Sequence, residues 1–118
     1  MTHEKGVLYL LHNCGRIDSI MDDLIDDVKI DGKHSYEDSI TPIWEYKKRW
    51  GQKTALLGGV DMDKLIRYTP DKLRAYVRTI ISKCREGGRF AIGGGNSIAS
   101  YIPIENYLTM VDTALTYR

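Results

Sequence analysis

Apolar residues fall along this chain in two alternating rhythms. Val7-Leu8-Tyr9-Leu10-Leu11 is a continuous apolar run of strand length, the pattern of a strand covered on both faces in a parallel sheet. It runs into His12-Asn13-Cys14-Gly15. Ile17, Ile20, Met21, Leu24 and Ile25 then recur at helical spacing, with Asp22, Asp23, Asp26 and Asp27 on the opposite face and Asp18 or Ser19 as the cap. Val28-Lys29-Ile30 reads as a short second strand ending in Asp31-Gly32-Lys33-His34-Ser35. A helix from about Ser39 to Trp50 follows, with Ile40, Ile43, Trp44 and Trp50 as apolar contacts, Pro42 in its first turn and Gly51 as its stop.

Thr54 to Val60 gives the third strand, closed by Asp61, and Met62 to Ile66 one helical turn. Thr69-Pro70 opens a longer helix as cap and first residue, with Leu73, Val77, Ile80, Ile81 and Cys84 as its stripe and Gly87-Gly88 at its end. Arg89 to Gly94 is the fourth strand and runs into Gly95-Asn96-Ser97. Pro103 starts the last helix, where Ile104, Tyr107, Leu108, Val111, Ala114 and Leu115 keep helical spacing.

Strands alternating with helices predict an α/β fold with a parallel sheet, closed either as a doubly wound open sheet or as a barrel segment. No Gly-x-Gly-x-x-Gly follows the first strand, which weighs against the dinucleotide-binding open sheet. Four β/α units are half of a (β/α)8 barrel, which needs roughly 250 residues. The chain has 118 residues, so it is read as one domain, 1–118, forming four consecutive β/α units of a TIM-type barrel. Four units leave two unpaired parallel edges, and these predict pairing with a second half-barrel, most simply as a homodimer.

Composition narrows the partners. With 17 Lys+Arg against 16 Asp+Glu the formal charge is +1, and nothing in that balance suggests nucleic acid or an acidic membrane as the main partner; a pocket at the strand ends makes a small-molecule ligand the expectation. No apolar run approaches a membrane span, Met1 to Lys5 are polar, and two cysteines make no disulfide framework. A reducing, cytoplasmic setting is the expectation.

Three stretches carry a family resemblance: Leu11-His12-Asn13-Cys14-Gly15 after a buried strand; Leu57-Gly58-Gly59-Val60-Asp61 with the Thr69-Pro70-Asp71 helix start; and Gly88 to Ser97 followed by Ile102-Pro103-Ile104-Glu105-Asn106-Tyr107. In order and spacing, from about Val7 to Tyr117, the chain resembles the C-terminal half of the uroporphyrinogen decarboxylase superfamily, which includes cobalamin-linked methyltransferases. The resemblance implies a (β/α)8 barrel of which this chain supplies the last four units. In the methyltransferase branch a His-x-Cys pair after the fifth strand and a Cys after the eighth bind zinc, which activates a thiol to accept a methyl group from a corrinoid. His12 and Cys14 match the pair, and Asn96 falls where the later Cys is expected. In the tetrapyrrole decarboxylase branch a His follows the last strand, and Asn96 again stands in its place. The acidic, basic and tyrosine groups that the decarboxylase draws from its N-terminal half have no counterpart here.

On their own chemistry, His12 and Cys14 lie at i and i+2 of a strand end, so both reach one metal from one face. Imidazole and thiolate suit zinc, which commonly takes three protein ligands and an open position at a catalytic site. His34, at the next strand end, is the internal candidate for a third ligand, and Asp61 is a further candidate. Asp31, Lys33 and His34 form a compact polar set in which the imidazole could serve as general acid or base. Asp61 is either a catalytic carboxylate or the cap of the Met62 turn. Asn96 and Ser97, after glycines 93–95, are candidates for substrate binding, and the glycine-rich stretch for an anion held by backbone amides. Cys84, on an apolar stripe, reads as a core thiol. Tyr36, Trp44, Tyr46 and Trp50 read as core or as an interface with another half-barrel. The expected parent activity is therefore zinc-thiol methyl transfer from a corrinoid. The alternatives are tetrapyrrole decarboxylation and a non-catalytic scaffold that dimerises.

Overall fold

Helices intervening between short apolar strands leave parallel pairing as the available solution, because antiparallel neighbours need no crossover. The computed structural model describes residues 2–118 and has this arrangement throughout. Strands β1 (Leu10–His12), β2 (Gly32–His34), β3 (Ala55–Val60) and β4 (Phe90–Gly94) form one parallel sheet in the order β1-β2-β3-β4. Each strand pairs with its sequence neighbour and none is skipped, so the sheet winds in one direction as a barrel wall does. A doubly wound sheet reverses direction part-way. Between the strands lie α1 (Met21–Asp26), α2 (Ile43–Trp50), α3 (Met62–Arg67) and α4 (Pro70–Cys84), and α5 (Ile104–Thr116) follows β4. The fold is thus four β/α units, half of a TIM-type barrel.

The core lies between this sheet and its helices. Met21, Ile43, Leu56, Val60, Leu65, Leu73, Val77 and Ile80 have no exposed surface. Each such side chain contributes roughly 1.5–3 kcal/mol of burial. Cys84 lies among them, and burial pushes its thiol up to about 11. The other face of the sheet is uncovered: on β1, Leu10 is 54% exposed and His12 is exposed, as is Ala91 on β4.

Two strands sit later than the apolar runs predict. The second strand is Gly32–His34, not Val28–Ile30. Asp27 and Val28 donate back to Asp23 O, Lys29 takes a left-handed φ of 65°, and Ile30 is a core plug whose N–H donates to Leu24 O. The segment 28–30 is therefore spent in ending α1. Gly-Lys-His becomes a strand because β1 and β3 hold it on both sides, an instance of tertiary context overriding propensity. The first strand shortens to Leu10–His12 for the same reason: β2 starts only at Gly32, so Val7 and Leu8 have no ladder partner on β2 and are 54% and 70% exposed. The second helix likewise starts at Ile43 rather than Ser39. Pro42 stands just before it, and a residue preceding proline is pushed out of the helical region.

Candidate functional site

Three strand ends converge on one sulfur atom. Cys14, two residues past β1, has its Sγ 3.6 Å from His12 Nε2, and it accepts from Asn96 Nδ2 at 3.3 Å and from Ser35 Oγ at 3.6 Å. His12 Nδ1 is 2.8 Å from His34 Nδ1, and His34 Nε2 is 3.1 Å from Gly94 O. The sheet register explains the meeting: His12 stands opposite His34 across β1 and β2.

The hydrogen-bond chain fixes the tautomers. A carbonyl oxygen only accepts, so His34 Nε2 carries the hydrogen that goes to Gly94 O. In the neutral ring His34 Nδ1 is then the acceptor, and His12 Nδ1 donates to it. That leaves the lone pair of His12 Nε2 directed at Cys14 Sγ. His34 thus orients His12, in the way that a hydrogen-bonded neighbour sets the face a ligand imidazole presents. Room for the His34 ring comes from Gly58, where a Cβ would stand 3.0 Å from His34 Cδ2 and 2.7 Å from Gly94 O. Ser35 holds a left-handed φ of 88° while buried, a strained backbone at a site of convergent polar groups.

Beside the thiol, and sharing Asn96 with it, lies a cleft of about 750 Å³ lined by Glu37, Asp38, Asp61, Lys64, Ser97 and Tyr101 among others. Asn96 turns its oxygen to accept from Ser97 N at 2.8 Å and its nitrogen to Cys14. Asp61 is fully engaged on its own chain: it caps α3 by accepting from Asp63 N at 3.0 Å and Lys64 N at 3.2 Å, and it accepts from Asp38 N at 2.8 Å. Asp38 in turn accepts from Tyr76 Oη at 2.7 Å and Lys64 Nζ at 2.5 Å. The desolvated Tyr76 hydroxyl is held well above its ordinary value by burial and by this carboxylate.

The later start of β2 moves two predicted residues off the rim. Asp31 precedes the strand, at the end of the sheet opposite the thiol. Its Oδ2 accepts from Tyr9 N and from His3 Nε2, both at 2.7 Å, and the Tyr9 N–H foremost holds the carboxyl below its usual range. Lys33 is mid-strand and faces the helices, 1% exposed. Its Nζ donates to Ser35 O at 2.5 Å and lies 4.1 Å from the centre of the Tyr36 ring. No carboxylate lies within ion-pairing distance of it among the described residues, and burial brings the ammonium down to about 8.

Of the predicted site residues, His12, Cys14, His34 and Asn96 come together, Asp61 and Ser97 line the adjoining cleft, and Asp31 and Lys33 lie elsewhere. Ser35, Asp38 and Tyr76 were not singled out by sequence reasoning. Ser35 lies in the polar run after Ile30, but its left-handed backbone has no signature in sequence. The glycine stretch is not an open amide cradle, because Gly95 N donates to Val60 O and a Cβ at Gly95 would lie 2.3 Å from Tyr36 O.

Among the described residues, no three or more His, Cys, Asp and Glu side chains are grouped to hold a metal ion. His34 spends both ring nitrogens, and Asp61 is spent as a cap. Among the described residues, the His12–Cys14 pair has the spacing of two ligands on one metal. Zinc–nitrogen and zinc–sulfur bonds of about 2.0 and 2.3 Å at a tetrahedral angle place the two ligand atoms about 3.5 Å apart, and Nε2 and Sγ are 3.6 Å apart. No helix among the described residues is long and apolar enough to cross a membrane.

Comparison with known proteins adds family and fold. The uroporphyrinogen decarboxylase (URO-D) family model matches residues 1–117. Among solved structures, a methyltransferase from Methanosarcina mazei superposes with a TM-score of 0.75 at 24% identity, over 94% of this chain and 32% of that one. The chain therefore spans about a third of the length of that structure. None of the curated proteins compared with the chain matches it.

Proposed function

Because the chain belongs to the uroporphyrinogen decarboxylase family, we propose that it is the thiol-activating half of a methyl-transferring barrel, in which His12 and Cys14 hold zinc and a corrinoid is the methyl donor. One observation carries this reading: the His12 Nε2 lone pair directed at Cys14 Sγ across 3.6 Å, with His34 and Gly94 O fixing the ring behind it. Zinc bound there would supply Lewis acidity that turns an acceptor thiol into a thiolate. The likeness to a methyltransferase is one of fold, and the imidazole–thiol pair carries the chemistry.

The chain's own residues have definite parts. Asn96 Nδ2 and Ser35 Oγ donate to Cys14 Sγ and so fix the sulfur's position facing His12. His34 keeps His12 in the ligating tautomer. The cleft beside Asn96, with Ser97 and Tyr101 on its wall, would receive the acceptor. Two protein ligands leave positions for the acceptor thiol and for a group from outside this chain.

Zinc content tests the reading. Untagged protein supplied with zinc and then dialysed should retain the metal, and Cys14→Ser should lose it. Cobalt(II) substitution should add a thiolate-to-cobalt charge-transfer band that the variant lacks. A wild type that holds no zinc when supplied sinks the proposal. A second reading, a non-catalytic scaffold, draws on Asn96, whose amide nitrogen faces the sulfur where the methyltransferase branch has a cysteine ligand. The same substitution leaves tetrapyrrole decarboxylation without the His expected after the last strand.

A further inference from the structure

Ser35 is the strained residue of the rim. It follows directly on β2, it is buried, and its φ of 88° lies where side chains rarely go. Such a backbone persists only where its surroundings fasten it. In this conformation Ser35 Oγ lies 3.6 Å from Cys14 Sγ and donates to it.

Three hydrogen bonds hold the turn. Lys33 Nζ donates to Ser35 O at 2.5 Å, Tyr36 Oη donates to Lys33 O at 3.1 Å, and Tyr36 N donates to Gly95 O at 2.9 Å. The last two tie the flanks of the turn. Of the three, the lysine bond alone is made to the strained residue.

Lys33 is a costly group to keep in that place. Its partner across the ladder is the fully buried Leu56, and its own side chain is 1% exposed in the helix layer. The ammonium lies 4.1 and 5.1 Å from the centres of the Tyr36 and Tyr46 rings. The cavity that Lys33 lines with Ser35 and Gly15 is about 10 Å³, room for one water, so the ammonium cannot leave Ser35 O for bulk solvent. Burial brings it down to about 8, and it is still charged at pH 7. Methionine would fill a similar volume without the desolvation cost. What lysine adds is a charged donor, whose hydrogen bond is roughly twice as strong as a neutral one.

We propose that Lys33 is a positioning residue of the thiol site: its buried ammonium clamps Ser35 O, holds the left-handed turn, and so keeps Ser35 Oγ on the Cys14 sulfur. The same side chain weakens the fold by its desolvation and orders the ligand sulfur from behind. The consequence for metal binding rests on the methyl-transfer reading. The consequence for the turn does not, because it is read on metal-free protein.

A lysine that merely supports the fold and one that positions Ser35 differ in what their loss does. In metal-free protein, the Ser35 HN–Hα coupling and its Cα and Cβ chemical shifts report the left-handed backbone. Lys33→Met should move them, and the Cys14 Cβ shift with them, while the signals of α5 stay in place. In zinc-loaded protein, competition with a chromophoric chelator should show affinity lowered about tenfold by Lys33→Met and by Ser35→Ala. The double variant should bind no more weakly than Ser35→Ala, because the lysine acts through the hydroxyl that alanine lacks. Urea denaturation at pH 7 should show Lys33→Met at least as stable as wild type, so affinity and stability part company. Ser35 signals that stay in place in Lys33→Met overturn the proposal. So do an unchanged zinc affinity, additive losses in the double variant, or a loss of affinity matched by a loss of stability. A wild type that takes up no zinc ends the methyl-transfer reading, and the metal-free signals then decide this proposal by themselves.

Discussion

Replacing Lys33 by methionine should make the protein more stable at pH 7 than at pH 9.5 relative to wild type. Lys33 is 1% exposed, sits under the Tyr36 and Tyr46 rings, and has one hydrogen bond, to Ser35 O. Burial brings its ammonium from 10.5 to about 8. The folded value lies below the unfolded one, so the folded state releases the proton first. The cost is therefore complete below pH 8 and is relieved as pH rises towards 10.5. A shift of that size corresponds to at most about 3 kcal/mol, and between pH 7 and pH 9.5 linkage returns about 2 kcal/mol of it. Methionine fills a similar volume and carries no proton, so the variant lacks this gain. Other groups oppose it: Cys84 and the buried tyrosines titrate later in the folded state and lower stability in the same range. They are common to both proteins and cancel in the difference. Urea denaturation of wild type and Lys33→Met at the two pH values gives that difference directly. A stability difference that stays constant within about 0.5 kcal/mol, or that moves in the opposite direction, refutes the argument that Lys33 is held desolvated and without a counterion.

Three further outcomes follow from named contacts. His34→Ala removes the acceptor that holds His12 Nδ1, so zinc affinity measured against a chromophoric chelator should fall about 10–100-fold; unchanged affinity would contradict the orienting role. Asp61→Ala strips the α3 cap and the acceptor for Asp38 N, which should cost about 1–2 kcal/mol in urea denaturation while leaving zinc affinity as in wild type; loss of zinc with the fold intact would make Asp61 part of the metal site. Gly59→Ala places a Cβ 2.6 Å from Ile43 Cγ2 at a φ of +105° and should cost about 1–3 kcal/mol. Shortening the neighbour in Gly59→Ala with Ile43→Ala, which removes the clashing Cγ2 and Cδ1, should recover at most part of this, because the backbone strain remains and a cavity is added.

The architecture was legible because it is written in periodicity. Leu56 and Val60 are buried as a sheet residue covered by helices must be, and Leu73, Val77, Ile80, Ile81 and Cys84 form the buried stripe of α4 that their spacing predicts. Thr69 and Pro70 start that helix as cap and first residue, since capping chemistry is local and needs no distant partner. The His12–Cys14 pair was legible for a similar reason, two residues along one strand end. What sequence left undecided was everything that depends on neighbours across the sheet. Gly32-Lys33-His34 has no strand propensity, and only β1 and β3 on either side make it one. That register put Lys33 into the helix layer, sent Asp31 to the far end of the sheet, and brought His34 against His12. The lone-pair direction of His12, the strained Ser35 and the Asn96 amide over the sulfur exist only once the ends of β1, β2 and β4 share one rim. Periodicity sets which face of an element is buried; the contacts between elements, made by residues up to 82 positions apart, decide which polar groups meet.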